Sequence, residues 1–386
     1  MKPIYLDHAA TTPLRAEVRA AMDAVHDGAF GNPSSLHRWG REASSALEEA
    51  RATCAAALGA RSSEIYFVRG GTESDNLAIL GRAGFLRADG QLPTVVVTAV
   101  DHSAVLAAAD AATARGAGRR VTLSVSPDGS VDLDALDRAL ASGPAVVSMI
   151  WVNNETGMVL PVEEVAARVA ASGGTFHTDA VQAAGKVPVG VQRLPVDLLT
   201  VTGHKIYGPK GTGLLYVRSG TALRPLLHGG GQESTLRPGT QDVAGAAGMA
   251  TALRLALEEQ AVEARRLQTL RDALEARLTA SLEGIRVNAG EAPRAPHVAS
   301  VAIPDVDGQA LLMALDLEGI AASGGSACSS GATKASHVIA ALYGDDDPFA
   351  TVRFSLGRST AEDDVDRAAR VVAEAVGRLR AGGATA

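Results

Sequence analysis

Cysteine is nearly missing from this chain. Its 386 residues include two, Cys54 and Cys328, and neither stands in a Cys-x-x-Cys pair with histidines at zinc spacing, which excludes a disulfide-stapled scaffold and a structural zinc site. A basic surplus is missing as well. Thirty-six lysines and arginines against 43 aspartates and glutamates leave a formal charge of -7, so no basic surface is on offer for nucleic-acid phosphates, and nucleic acid is excluded as a partner. No apolar run is long enough to span a bilayer, and the N-terminus has no charged start followed by an apolar core. The expected location is the cytoplasm, with no membrane partner. There is no internal repeat. A Gly-x-Ser-x-Gly elbow is also absent, which removes the nucleophile that an esterase reading of His228-Gly229-Gly230-Gly231 requires.

Apolar residues, by contrast, are plentiful. At 46% of the chain they can fill a large core, and the length suggests two or three domains. From Glu64 onward the pattern alternates. Strands are predicted at Glu64 to Arg69, Thr94 to Val100, Val121 to Val125, Ala145 to Val152, Thr175 to Thr178 and Val196 to Val201, with helices at Leu77 to Leu86, Ser103 to Arg115, Leu133 to Ala141 and Val162 to Ala171. This rhythm predicts an α/β fold, a mostly parallel sheet covered by helices, with ligands bound beyond the carboxyl ends of its strands.

Those strand ends are polar. They carry Asp101-His102, Asn153-Asn154-Glu155, His177-Thr178-Asp179 with Gln182, and Thr202-Gly203-His204-Lys205. A lysine at a strand end beside a Gly-rich loop can be partly desolvated, which lowers its pKa and lets the neutral amine attack an aldehyde, as pyridoxal phosphate requires. Taken alone, Gly-His-Lys equally describes a surface lysine. Gly70-Gly71-Thr72 before a helix reads either as a phosphate cradle of backbone N–H groups or as a plain Thr or Ser helix cap. Four polar strand ends on one sheet edge are hard to assign to capping alone.

After a long helix, Asp242 to about Ala280, the pattern changes. Strands at Ile285 to Val287, Val298 to Ile303 and Val352 to Leu356, with helices at Gly308 to Leu317 and Asp363 to Leu379, predict a smaller α+β unit with which the first dozen residues dock. Within it, Ser323-Gly324-Gly325-Ser326-Ala327-Cys328-Ser329-Ser330-Gly331 is too rich in Gly and Ser to hold one conformation. Cys328 there is either a reactive thiol or an incidental one. Cys54, in an Ala-rich helical stretch, reads as a small buried hydrophobe.

Several motifs together resemble the class I cysteine desulfurases, class V aminotransferase-like enzymes of pyridoxal phosphate fold type I. They are Tyr5-Leu6-Asp7-His8-Ala9-Ala10-Thr11-Thr12, Gly31-Asn32-Pro33-Ser34-Ser35, Gly71-Thr72-Glu73-Ser74-Asp75-Asn76, Val152-Asn153-Asn154-Glu155, Thr202-Gly203-His204-Lys205, Gly325-Ser326-Ala327-Cys328 and Val352-Arg353-Phe354-Ser355. The resemblance implies a large domain over 15–258 with a seven-stranded sheet, and a small one made of 1–14 and 259–386 that carries the Cys328 loop. It implies that Lys205 binds the aldehyde of pyridoxal 5'-phosphate, that Asp179 pairs with its ring nitrogen, and that Gln182 approaches its ring hydroxyl with Asn154 nearby. The same resemblance implies that His102 stacks on the ring and is available for proton transfer, and that Gly71, Thr72, Thr202 and His204 bind the phosphate. It further implies a homodimer in which Thr240 reaches the phosphate of the neighbouring subunit. On the same resemblance Arg353 is expected to take the carboxylate of L-cysteine, with Asn154 beside it, and Cys328 to take the sulfur as a persulfide for a sulfur acceptor or iron-sulfur scaffold protein. A selenocysteine lyase or cysteine sulfinate desulfinase would share every cofactor residue. A sulfur-relay adaptor that keeps the fold without the chemistry is the reading from another class.

Overall fold

The central strands are buried from end to end, as a sheet covered on both faces requires. In the computed structural model, which describes residues 2–192, 194–324 and 336–383, the chain begins with β1 (Ile4–Tyr5), α1 (Ala16–Gly28) and α2 (Arg38–Leu58). The alternating region follows: β2 (Ile65–Val68), α3 (Gly71–Ala88), β3 (Thr94–Thr98), α4 (Ser103–Ala114), β4 (Arg119–Leu123), α5 (Leu133–Ala141), β5 (Ala145–Ile150), α6 (Val162–Ala171), β6 (Thr175–Asp179), β7 (Leu198–Thr202) and β8 (Gly213–Val217). These strands form the expected seven-stranded sheet, in the order β2-β8-β7-β6-β5-β3-β4. The β3–β4, β3–β5, β5–β6 and β6–β7 pairs are parallel, and β8 runs against both its neighbours.

From β3 the chain first adds β4 on one side and then β5 on the other. Crossovers that leave in opposite directions open a crevice at the carboxyl ends of β3 and β5. Asp101-His102 and Asn153-Asn154 follow those two strands.

The second half comprises α7 (Val243–Ser281), β9 (Arg286–Val287), β10 (Val298–Ile303), α8 (Gly308–Leu317), β11 (Ile320–Ala321), α9 (His337–Tyr343), β12 (Ala350–Ser355) and α10 (Glu362–Gly383). β10 lies between β12 and β9 in an antiparallel sheet. At ~1.5 Å per residue α7 is about 58 Å long, and its two halves join different cores. Val243, Met249 and Leu253 pack into the apolar cluster around the large sheet, whereas Leu267, Leu270, Leu274 and Leu278 pack with β10, β12 and α10.

The N-terminal arm docks as expected: β1 pairs in parallel with β11, Ile4 opposite Ile320, and Asp7 bridges to Ser355. Two local details differ from the sequence expectation. α3 begins at Gly71, not Leu77, because Gly70 makes the whole turn at φ 129°, a conformation open to glycine, and Ser74 and Asp75 are buried instead of belonging to a polar turn. α9, starting at a Ser336 cap, is too short to stand out by periodicity. Cys54 is buried as expected, and burial pushes its thiol up to about 12. Among the described residues no helix is long and apolar enough to cross a membrane.

Gly213, the first residue of β8, is pressed against the Gly70 turn: a Cβ there would lie 2.9 Å from the Gly70 Cα and from the Val201 carbonyl oxygen. Gly213→Ala is therefore expected to shift that turn and to destabilise the fold by about 1–3 kcal/mol. Urea unfolding checks this, as a lower midpoint at unchanged slope.

Candidate active site

The turn from β2 into α3 forms one end of the site. Helices are usually capped by Ser, Thr, Asp or Asn, but here the capping position is Gly70 and no side chain caps the helix. This removes the reading in which Thr72 or a serine caps the helix. Thr72 is an exposed first-turn residue, not the cap, and the first-turn N–H groups and positive dipole end of α3 are left for an anion. Gly71 packs close to the segment after β6, where a Cβ would meet Val181 Cγ2 at 3.2 Å. Thr202, at the end of β7, is buried and its hydroxyl donates to the Thr212 carbonyl at 3.1 Å. His204 Nδ1 lies 3.2 Å from Thr11 Oγ1, and burial, then nearby Lys205 and Lys210, push its imidazole down to about 4.

Lys205 sits in a single 3-10 turn, Gly203–Lys205, directly after β7. The turn is this tight because Gly203 has no side chain: a Cβ would come within 2.9 Å of the Pro209 carbonyl oxygen. The Lys205 ammonium donates to the carbonyls of Ala9 at 2.6 Å and Ala10 at 2.7 Å. The N-terminal arm thus forms one wall of the site, tied down by Thr12 N to His204 O at 2.9 Å and by Tyr207 N to Thr12 Oγ1 at 2.8 Å.

Asp179 ends β6 and is fully buried, with Oδ1 accepting from Val181 N at 2.9 Å. Burial raises its pKa, opposed by neighbouring His102, the Val181 amide and Lys205. It forms no ion pair with a described residue, so a protonated ring nitrogen would supply the missing cation. Gln182, one turn further on, is buried and donates from Nε2 to the Ala9 carbonyl at 2.8 Å.

His102 caps α4, its Nδ1 accepting from Ala104 N at 3.2 Å, so the proton of the neutral ring is on Nε2. Asp101 holds the loop before it. The carboxylate accepts from Thr98 N and Ile150 N, both at 2.6 Å, and joins β3 to β5; burial lifts its pKa to about 7. Asn153 ties the same two loops together, donating to Val100 O at 2.9 Å and accepting from the Glu155 and Thr156 amides. The residues expected at the ring are therefore carried by adjacent strands with cross-braced loops.

Arg353, on β12, is almost wholly buried, and its guanidinium donates to Asp7 Oδ1 and to the Asn154 carbonyl, each at 2.8 Å. This brings the Asn154 backbone and Arg353 together. Thr240 is exposed in the segment before α7. Cys328 lies outside the described residues. The chain re-enters at Ser336, and here sequence reasoning missed a group. Ser336 Oγ donates to the buried Glu155 at 2.5 Å, and His337 Nε2 lies 2.9 Å from the Asp101 carbonyl. Burial raises the Glu155 pKa, while Ser336, His337, Arg353 and His102 pull it down. Glu155 was visible in the Asn-Asn-Glu run, but its partner 181 residues away was not.

The donor set fits pyridoxal phosphate: an amine for its aldehyde, a buried carboxylate for its ring nitrogen, and an uncapped helix N-terminus with a neighbouring threonine and histidine for its phosphate. Set around this seven-stranded sheet, these groups define a fold type I pyridoxal-phosphate enzyme. The chain belongs to the aminotransferase class-V family, whose profile matches residues 4–368, and within it to the cysteine desulfurases. It is 41% identical over 381 residues to "Cysteine desulfurase IscS" of Dictyoglomus turgidum, covering 98% of this chain and 96% of that one. Among solved structures it resembles a NifS-like protein, with TM-score 0.90, 32% identity and coverage of 98% and 100%. It also resembles "SspA in complex with cysteine", with TM-score 0.77, 28% identity and coverage of 92% and 98%.

His8, in the arm, is held neutral: burial, then Lys186, pushes its imidazole from 6.5 down to about 4. The unfolded chain binds a proton below about 6.5 that the folded chain refuses. Stability from this group is therefore full above 6.5, falls as pH is lowered, and is gone by about 4. The loss is on the order of 3 kcal/mol, and His8→Gln should flatten the profile. Urea midpoints between pH 7 and 4 measure both.

Proposed function

We propose that this protein is a cysteine desulfurase, which converts L-cysteine to L-alanine and keeps the sulfur as a persulfide on Cys328. One observation carries this reading: Lys205, Asp179, Gln182 and His102 stand together at the strand ends of a chain similar to cysteine desulfurases over nearly its full length.

When bound, pyridoxal phosphate supplies an electron sink for the bonds around an amino acid's Cα. Lys205 holds it in place. Asp179 keeps a cation at the ring nitrogen, and Gln182 presents an N–H to the ring hydroxyl. Gly71, Thr72, Thr202 and His204 hold the phosphate. Arg353, held in one orientation by Asp7 and the Asn154 carbonyl, binds the cysteine carboxylate as a forked cation. His102 carries a proton on Nε2, from which it can exchange one with the substrate. The Cys328 thiolate takes the substrate sulfur: the C–S bond breaks, an S–S bond forms, and protonation of the carbon fragment completes alanine. Thiol plus cysteine gives persulfide plus alanine, with no outside oxidant.

The large domain covers 15–258, and the small one covers 1–14 with 259–386. Two copies form a homodimer in which the exposed Thr240 serves the other copy's phosphate. The persulfide passes to a sulfur acceptor or iron-sulfur scaffold protein in the cytoplasm.

Purified protein should absorb visible light as a lysine-bound cofactor, and Lys205→Ala should remove that band. Alanine release from cysteine, selenocysteine and cysteine sulfinate is then compared for wild type and Cys328→Ala. A loss on the order of 10²-fold or more with cysteine is expected. Cysteine turnover that survives the substitution would rule out the persulfide route, and preference for either other substrate would reassign the enzyme.

A further inference from the structure

Gln182 is oriented by a residue from outside the large sheet. The Ala9 carbonyl can only accept a hydrogen bond, so the Gln182 side-chain atom 2.8 Å from it is the amide nitrogen. The other side-chain atom, Oε1, is then the one 3.2 Å from His297 Nε2. An oxygen acceptor requires that this imidazole nitrogen carry the proton. His297 Nδ1 is left bare, and it is buried without a partner among the described residues. A bare ring nitrogen tolerates that position better than an orphaned N–H or a buried cation would. The surroundings agree: burial, and then Lys186, His8, Arg353 and Arg271, disfavour a charged imidazole and press its pKa well below the ordinary value.

His297 immediately precedes β10, and the same arm carbonyl receives the Lys205 ammonium at 2.6 Å. A continuous chain of contacts therefore runs from His297 through Gln182 and Ala9 to Lys205. We propose that His297, as its neutral Nε2–H tautomer, is a positioning residue that fixes the Gln182 amide so that its second N–H serves the cofactor's ring hydroxyl. This rests on the reading that Gln182 meets that hydroxyl. Without His297 only the Ala9 carbonyl holds the amide, and an amide that rotates offers oxygen where a donor is needed, where it is repelled by a phenolate oxygen.

The tautomer is tested on the protein without cofactor, by ¹⁵N NMR of labelled histidine. His297 should show a protonated Nε2 and a bare Nδ1, and the reverse pattern overturns the proposal. The orienting role is tested by cofactor titration of wild type, His297→Leu and His297→Gln, since a glutamine amide can place an N–H near the position of Nε2. The leucine variant should bind pyridoxal phosphate about 10-fold more weakly and raise the pH midpoint of the visible band, while the glutamine variant stays within about twofold of wild type. Leucine binding like wild type, or glutamine binding as weakly as leucine, overturns the role. Should the leucine variant fail to fold, the glutamine variant and the tautomer decide. A wild type that takes up no cofactor would overturn the functional reading instead, and the NMR result would still decide how Gln182 is oriented.

Discussion

The Lys205 ammonium held by the carbonyls of Ala9 and Ala10 is the contact on which the site depends. A charged amine at a strand end needs acceptors, and the large sheet's strands have spent theirs on their own ladders. The acceptors come from an arm anchored in the other half of the molecule, through β1 on β11 and Asp7 on Ser355. The lysine that identifies the chemistry is thus held where the two apolar cores meet. The same arm supplies Asp7 to Arg353 and Ala9 to Gln182, so three separate functional side chains share one short support.

Buried carboxylates set the electrostatics. Asp75, Asp101, Asp179 and Glu155 are nearly inaccessible to water, and burial raises the pKa of each. Their roles divide by what faces them. Asp101 is satisfied by two backbone amides and works as a strut, whereas Glu155 is tied to Ser336 and Asp179 stands near His102 and Lys205. Packing two uncompensated negative charges close together would be costly. Asp75 lies near Asp179, so a proton on Asp75 leaves Asp179 the freer to pair with a ring cation.

Much of the fold was legible because its signals are local. α5, α6, β10 and α8 span the residues their apolar spacing predicts. α3 starts earlier than its composition suggests because a single glycine dihedral decides where that helix begins. Within the site, Lys205, Asp179 and His102 announce themselves as polar residues ending apolar runs. Glu155 and Asp101 stood in those runs but gave no sign of their partners, and His297 gave none at all. Their importance lies in contacts across 49 to 181 residues, and no local spacing encodes a distance of that kind.

By itself, then, the sequence determined the type of sheet, the family and the position of Lys205 at a strand end, since periodicity and motif order are properties of neighbouring residues. Only the tertiary structure decided which atoms accept from Lys205, that Gly70 and not Thr72 stands at the start of α3, that Arg353 is fixed by Asp7, and that Gln182 meets a histidine from the far half. Each of those is a hydrogen-bond or steric relation between distant segments, and such a relation exists only once the arm and the two cores have closed on one another.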